Sequence, residues 1–168
     1  MTHNESIVVR NLRPRDLDAV IEVDSRNAGR RRTEYFKVKL AQAIADTGIQ
    51  VSLAAERDGR LVGFLLARVY YGEFGSAEKA AVLDTIGVHP DQQGQGVGVA
   101  LLRQLRQNLM ALGIQKLQTQ VRWEDPTLLA FFHRSGFRPA ARIDLDLDLA
   151  AAQVADDRRE AQRELAST

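Results

Sequence analysis

Residues 88 to 98 read VHPDQQGQGVG, with Gly94, Gly96 and Gly98 at alternate positions behind a proline and two glutamines. They stand where an apolar run ends and a helical pattern begins. A strand, a glycine-rich turn and a helix start together make an anion site. The first amides of a helix have no internal partner, the helix dipole adds partial positive charge, and glycine lets a ligand approach the main chain. Phosphate is the natural guest. A P-loop needs G-x-x-x-x-G-K-[ST], and no lysine follows these glycines. A dinucleotide fingerprint needs G-x-G-x-x-G/A, and its last place falls on Val99 or Leu101. A third pattern, [QR]-x-x-G-x-[GA], is met by Gln93, Gly96 and Gly98.

The second chemical candidate is Asp84, the one acid within AAVLDTIGV at residues 80–88. A carboxylate on an apolar strand is costly unless it is solvated or partnered. It is a candidate general base, or else a structural acid bonded to a neighbouring amide such as the loop at 72–78. Strand alternation puts it on the face of Ile86 and Val88. Glu78 and Glu124 are weaker candidates for the same role.

These residues need a scaffold, and hydropathy supplies its outline. Residues 7–11 read as a strand. Pro14 and Asp16 open a helix that Asn27–Gly29 breaks, and a second helix is expected from Thr33 to Asp46, stopped by Gly48. Residues 51–56 and 61–70 are strands about Asp58-Gly59, a hairpin signal. Residues 72–78 are a loop and 80–88 a largely buried strand. Val97, Leu101, Leu105, Leu109 and Leu112 recur at helical spacing, and Gly113 stops that helix. Residues 114–122 alternate as a strand. Asp125-Pro126 starts a helix that Gly136 ends. A final strand is expected over 137–149. The fold class is α/β, a central mixed sheet flanked by helices in the order β-α-α-β-β-β-α-β-α-β. One domain spans 1–149, and 150–168 is a charged tail, helical or frayed.

Bulk composition narrows the function. The chain has 168 residues, 45% hydrophobic and 27% charged, with net charge +1. That balance argues against a nucleic-acid protein. There is no cysteine, hence no disulfide, thiol nucleophile or thiolate metal site. No apolar run approaches the ~20 residues a membrane span needs, and MTHNESIVVR has no apolar signal core. The expected location is the cytoplasm.

The string V-H-P-D-x-Q-G-x-G-V-G-x-x-L-L resembles the pyrophosphate loop of the GNAT superfamily of N-acetyltransferases. The resemblance extends to Glu56–Gly59 followed by Leu61–Phe64, which is similar to that family's central hairpin. Phe131-Phe132-His133-Arg134-Ser135-Gly136-Phe137 stands where the family has F-Y-x-x-x-G-F. In outline the likeness covers residues 6 to 149. It implies a direct transfer of acetyl from acetyl-CoA to an amine of a small molecule or protein. The amides of Gln93, Gly94, Gln95, Gly96, Val97 and Gly98, with Val99 close behind, would grip the pyrophosphate of coenzyme A. Ile86 and Val88 would pair with the pantetheine arm like an added strand, where strands 80–88 and 114–122 splay. A backbone N–H near Val88 would stabilise the oxyanion. Gly87 is a candidate bulge at the splay, or a glycine needed for packing.

The sequence departs from the family at the general acid. Phe132, a cofactor-side position, replaces the usual tyrosine, and a phenyl ring cannot donate a proton. Tyr70 and Tyr71 are the substitutes that the hairpin strand offers; His133, the next residue on the helix, points about 100° away. A non-catalytic acyl-CoA-binding sensor is therefore the competing reading. On the acceptor side stand Arg30 and Arg31, within a basic cluster that includes Arg26, Arg32, Lys37 and Lys39, and also Trp123 and Glu124. A basic wall there favours an acidic acceptor, or is a solvated surface run. Asp144, Asp146 and Asp148 alternate with Ile143, Leu145, Leu147 and Leu149. That is an extended acidic face that discourages edge pairing, not a metal loop. An edge strand at the C-terminal end also makes a homodimer an expectation.

Overall fold

The computed structural model describes residues 6–45, 50–71 and 78–166. The expected Gly48 helix stop and all of the expected loop at 72–78 except Glu78 lie outside the described residues. The chain packs as two units, Met1–Gly136 and Phe137–Thr168.

The first unit holds a five-stranded sheet in the order β1-β2-β3-β4-β5. The strands are β1 Val8–Asn11, β2 Leu53–Arg57, β3 Arg60–Tyr71, β4 Lys79–Val88 and β5 Leu117–Thr119. Pairing is antiparallel from β1 to β4, and β4 pairs parallel with β5. The β2–β3 turn is the expected one: Asp58 and Gly59 both take positive φ, 53° and 70°, as a two-residue hairpin turn requires. Helix α1 spans Leu17–Ala28, α2 Thr33–Ala45, α3 Val97–Ala111 and α4 Pro126–Arg134. Asp125 caps α4 through its carboxylate, which accepts the Leu128 amide at 2.9 Å.

Two apolar layers clamp the sheet. On one face Val20, Ile21 and Val23 of α1 and Phe36 and Leu40 of α2 are buried with Leu12, Phe64 and Leu66. The Phe36 and Phe64 rings meet edge to face, 5.7 Å between centroids. The buried stripe of α3 is Val97, Leu101, Leu102, Leu105 and Leu109, as hydropathy indicates, but Leu112, expected to end it, is the C-cap residue and is exposed because the helix stops at Ala111. Gly63 lets α3 come close, since a Cβ there would lie 2.7 Å from Val97.

The second unit differs from expectation. Residues 137–148 form no strand, and helix α5 begins at Leu149 and runs to Ala166. Ladder hydrogen bonds need a second strand, and alternation alone does not provide one. Asp148 instead caps the helix, its carboxylate accepting the Ala151 amide at 3.0 Å. Ile143, Leu145 and Leu147 are left 88%, 90% and 72% exposed.

One ion-pair cluster pins the N-terminal strand. Arg10 donates to Asp16 at 2.7 and 2.8 Å and to Glu56 of β2. Burial pushes the Asp16 carboxyl up, but the Arg10 guanidinium and the Arg13 amide outweigh it and hold it below the usual carboxylate range. A depressed folded value stabilises above the unfolded one, about pH 3.9, and that stability is lost as pH falls through the folded value. Replacing Arg10→Met should therefore destabilise the protein by roughly 3 kcal/mol near neutrality. In urea melts the gap from the wild type should shrink as pH is lowered below about 4. A gap that stays constant with pH would show that the carboxylate is not the linked group.

Candidate functional site

The site is organised by where β4 stops pairing. Between β3 and β4 the register runs Gly63–Val88, Phe64–Gly87, Leu65–Ile86 and Leu66–Thr85, then jumps to Ala67–Leu83. Asp84 is the extra residue, so the bulge falls there and not at Gly87. Gly87 keeps regular register and is needed for packing: a Cβ on it would lie 2.7 Å from the Phe64 ring.

The bulge decides which main-chain groups face outward. Ala81 donates its amide to Lys116 O at 2.9 Å, so before the bulge Ala81 and Leu83 face β5. After it, the His89 amide donates to Val62 O at 2.8 Å, so His89 and Gly87 face β3. Antiparallel alternation then turns the N–H and C=O of Ile86 and Val88 toward the β5 side. Nothing in β5 meets them. Its pairing covers only Ala81–Leu117, Val82–Gln118 and Leu83–Thr119. The last contact is the Thr119 hydroxyl, which donates to Leu83 O at 2.9 Å. The two parallel strands thus part, leaving an open edge at Ile86 and Val88.

The bulge also breaks the count of side-chain faces. Asp84 does not share the face of Ile86 and Val88. It stands with Thr85 against α2: Lys39 Nζ lies 4.0 Å from Asp84 Oδ2, and the Tyr35 and Thr85 hydroxyls are 3.5 Å apart. Val88 lies on the other face, 3.8 Å from where a Cβ of Gly98 in α3 would be. Arg68 Nε, from β3, is 3.5 Å from Asp84 Oδ2. The carboxylate side chain is 21% exposed.

The glycine segment follows the open edge directly. Pro90–Gln92 is a single 3-10 turn, and Gly94 and Gly96 take positive φ, 74° and 84°. Gly96 is the N-cap of α3, and no side chain caps that helix. Its first turn carries no acid. The first intrahelical bond is Ala100 N–H to Gly96 O at 2.9 Å, so the Val97, Gly98 and Val99 amides have no helical partner. Gly98 also admits the Phe131 ring, which a Cβ would approach to 3.1 Å.

Two side chains that motif reading passed over, Asn27 and Arg57, hold this loop together with its own glutamines. Asn27, in the last turn of α1, donates to Val88 O at 2.9 Å, and Gln93 donates to Asn27 Oδ1 at 2.9 Å and Val88 O at 3.2 Å. Arg57, at the end of β2, donates to the side-chain oxygens of both Gln92 and Gln95. Gln95 in turn donates to Asp91 O at 2.9 Å. Asn27 reads from sequence only as a helix breaker and Arg57 only as a hairpin flank. Their partners are 61 and 35 residues away, beyond any local pattern.

Other expected residues fall elsewhere. Tyr70 pairs opposite Ala80 and its hydroxyl donates to Gln118. Tyr71 pairs opposite Lys79 and stacks under its ammonium at 5.3 Å. Both end β3 opposite the start of β4, where their partners lie six and seven residues, or about 20 Å, from Ile86 along the strand. Neither hydroxyl therefore stands at the open edge. Phe132 is buried at 4% exposure. Arg32 is committed to the buried Asp24 and to the Tyr35 and Phe36 rings, while Arg31 lies 3.9 Å from Glu22 and Arg30 is exposed. Trp123 is 88% exposed, and Glu124 pairs with Arg122 at 3.4 Å. Glu78 sits just before β4. Among the described residues no helix is long and apolar enough to cross a membrane.

Comparison with known proteins identifies the family and the fold. The acetyltransferase (GNAT) family profile matches residues 17–137. The fold resembles that of an aminoglycoside N-acetyltransferase, AAC(6′)-Iy, solved in complex with CoA: TM-score 0.74 and 14% identity, covering 89% of this chain and 99% of that one. A ribosomal-protein-alanine N-acetyltransferase from Brucella melitensis gives TM-score 0.67 and 21% identity over 86% and 99% of the two chains. A transcriptional regulator from Bacillus halodurans gives 0.73 and 17% over 86% and 100%. At such identities the structural matches speak for the fold, while the profile covers most of the chain. An open β4 edge leading into an uncapped, glycine-started helix is thus set in the fold of a known group of enzymes, and the chain belongs to the GNAT acetyltransferase family.

Proposed function

We propose that this protein is an acetyl-CoA-dependent N-acetyltransferase. The observation that carries the reading is the adjacency of two sets of main-chain groups that no strand or helix of the described residues meets, the outward groups of Ile86 with the Val88 N–H, and the uncapped start of α3. A coenzyme A molecule has a partner for each. Its pyrophosphate suits the amides from Gln93 to Val99, and its amide-bearing arm suits an open strand edge. The residues present fit this substrate. No side-chain acid competes with a phosphate at the helix start, and the loop glutamines are already held by Arg57 and Asn27.

Acetyl-CoA supplies an activated acetyl group as a thioester. The acceptor nitrogen bonds to the acetyl carbon as the carbon–sulfur bond breaks and its electron pair leaves on sulfur. Asp84, directly or through a water, takes the proton that the nitrogen sheds, and solvent returns a proton to sulfur. The outward N–H of Val88 donates to the carbonyl oxygen as it gains charge, while Ile86 pairs with the amide-bearing arm. This account uses no tyrosine acid, consistent with Phe132 in the core and with Tyr70 and Tyr71 opposite the far end of β4. A thiolate is a tolerable leaving group without one.

We place the chemistry in the cytoplasm, in keeping with the absence of cysteine. Association of two copies belongs to the same reading and draws on the exposed Ile143, Leu145 and Leu147.

Two variants test the parts separately. Val99 is 50% exposed in the first turn of α3. Val99→Asp puts an acid where the helix favours one, so thermal stability should hold or rise. Affinity for acetyl-CoA should fall at least tenfold, because the new carboxylate occupies and repels at the phosphate position. Unchanged affinity would move the phosphate elsewhere. Asp84→Asn should leave acetyl-CoA affinity within twofold and lower kcat by about 10²-fold or more, as loss of a general base does. Full turnover in that variant would remove Asp84 from the chemistry. Binding with no turnover in the wild type would favour an acyl-CoA sensor, the reading that Phe132 supports.

A further inference from the structure

Asp84 shares one carboxylate oxygen with two cations. Lys39 Nζ and Arg68 Nε lie 4.0 and 3.5 Å from Oδ2, and neither contact has hydrogen-bond geometry. Neither cation has another hydrogen bond or ion pair among the described residues. Among the described residues the terminal nitrogens of Arg68 therefore keep their donors unspent. Lys39 and Arg68 are 33% and 49% exposed, so an incoming molecule can reach them. Their immediate neighbours, Tyr35 and Thr85, are uncharged partners of one another. Counting the three charged groups, the spot where the acceptor amine must lose its proton carries one net positive charge.

That balance selects among amines. An ammonium brought to Asp84 is drawn by one carboxylate and repelled by two like charges, and the net positive balance favours the neutral nucleophile. A polycation meets the same repulsion with every further charge. An acceptor that carries its own carboxylate meets the opposite: a forked guanidinium with open donors and an ammonium beside it. Resting on the acetyl transfer proposed above, we infer that the acceptor is a primary amine with a carboxylate a few bonds away. Lys39 and Arg68 bind that carboxylate while Asp84 receives the amine proton. The amine could belong to a free amino acid or to an acidic peptide terminus. Of the expected basic cluster this reading draws on Lys39, and it adds Arg68 from β3.

The test follows thiol release from acetyl-CoA with a panel of amines. The panel holds free amino acids, the same amino acids as carboxamides, an aspartate-first dipeptide amide, spermidine and an aminoglycoside. Acetyl-CoA affinity is read by calorimetry on the same preparations. The inference expects kcat/KM at least tenfold higher for the free acids, the acidic dipeptide or both than for the neutral carboxamides, with spermidine and the aminoglycoside at background. The better of the two acidic groups distinguishes metabolite from peptide. The double variant Lys39→Met/Arg68→Met should retain acetyl-CoA affinity and lose the preference for acids over carboxamides, while Arg68→Lys should keep part of it. Carboxamides or polycations acetylated as fast as the acids, no acid acetylated at all, or a preference that survives the double variant would overturn the inference. If acetyl-CoA itself does not bind, the underlying reading falls as well.

Discussion

The extra residue that β4 carries at Asp84 reverses the direction of every main-chain group beyond it. Ahead of the bulge, odd-numbered residues face β5 and are paired. Behind it, Ile86 and Val88 face the same way and find no strand. Unpaired main-chain groups are obligatory hydrogen-bonding groups, so they must be met by water, side chains or a ligand. Asn27 and Gln93 already meet the Val88 carbonyl, which leaves its N–H as the group still to be met. The same bulge puts Asp84 and Thr85 together on the α2 face. One irregularity thus creates the open edge and puts a carboxylate beside it.

The anion end of the site depends on what is missing from α3. A helix start is normally closed by a serine, threonine, aspartate or asparagine, worth about 1 kcal/mol. Here glycine sits at the cap, and the helix is anchored instead by its buried stripe of leucines and valine. Burial of that stripe contributes several kcal/mol at roughly 1.5–3 kcal/mol per side chain, so the fold tolerates an unfinished N-terminus. Positive φ at Gly94 and Gly96 shapes the turn, and Arg57 and Asn27 hold it by side chains from other elements. The loop is therefore set before a ligand arrives, which lowers the entropy lost on binding.

Much of this was legible in the sequence, for identifiable reasons. The α3 stripe, the Asp58-Gly59 turn and the Asp125-Pro126 start are local signals, and each appears where its pattern places it. The glycine loop is likewise local, a run of residues adjacent in space because they are adjacent in the chain. The bulge was not legible at its true place. Gly87 looks like the irregular residue because glycine tolerates irregularity, yet it is there to admit the Phe64 ring, a long-range packing demand. The same error in counting put Asp84 on the wrong face. The strand expected over 137–149 failed for a related reason: its alternation is real, but pairing depends on a partner that the segment does not encode. Lys39, Arg68, Asn27 and Arg57 gain their roles from tertiary contacts alone.

The most direct measurement is a calorimetric titration of the full chain with acetyl-CoA, with ATP and NAD as phosphate-bearing controls. The open edge and the uncapped helix together predict a dissociation constant in the micromolar range for acetyl-CoA and no saturable binding of the controls. No binding at millimolar acetyl-CoA would contradict the account. Gly94, Gly96 and Gly98 would then serve the scaffold only, and the unpaired groups of Ile86 and Val88 would have some other partner.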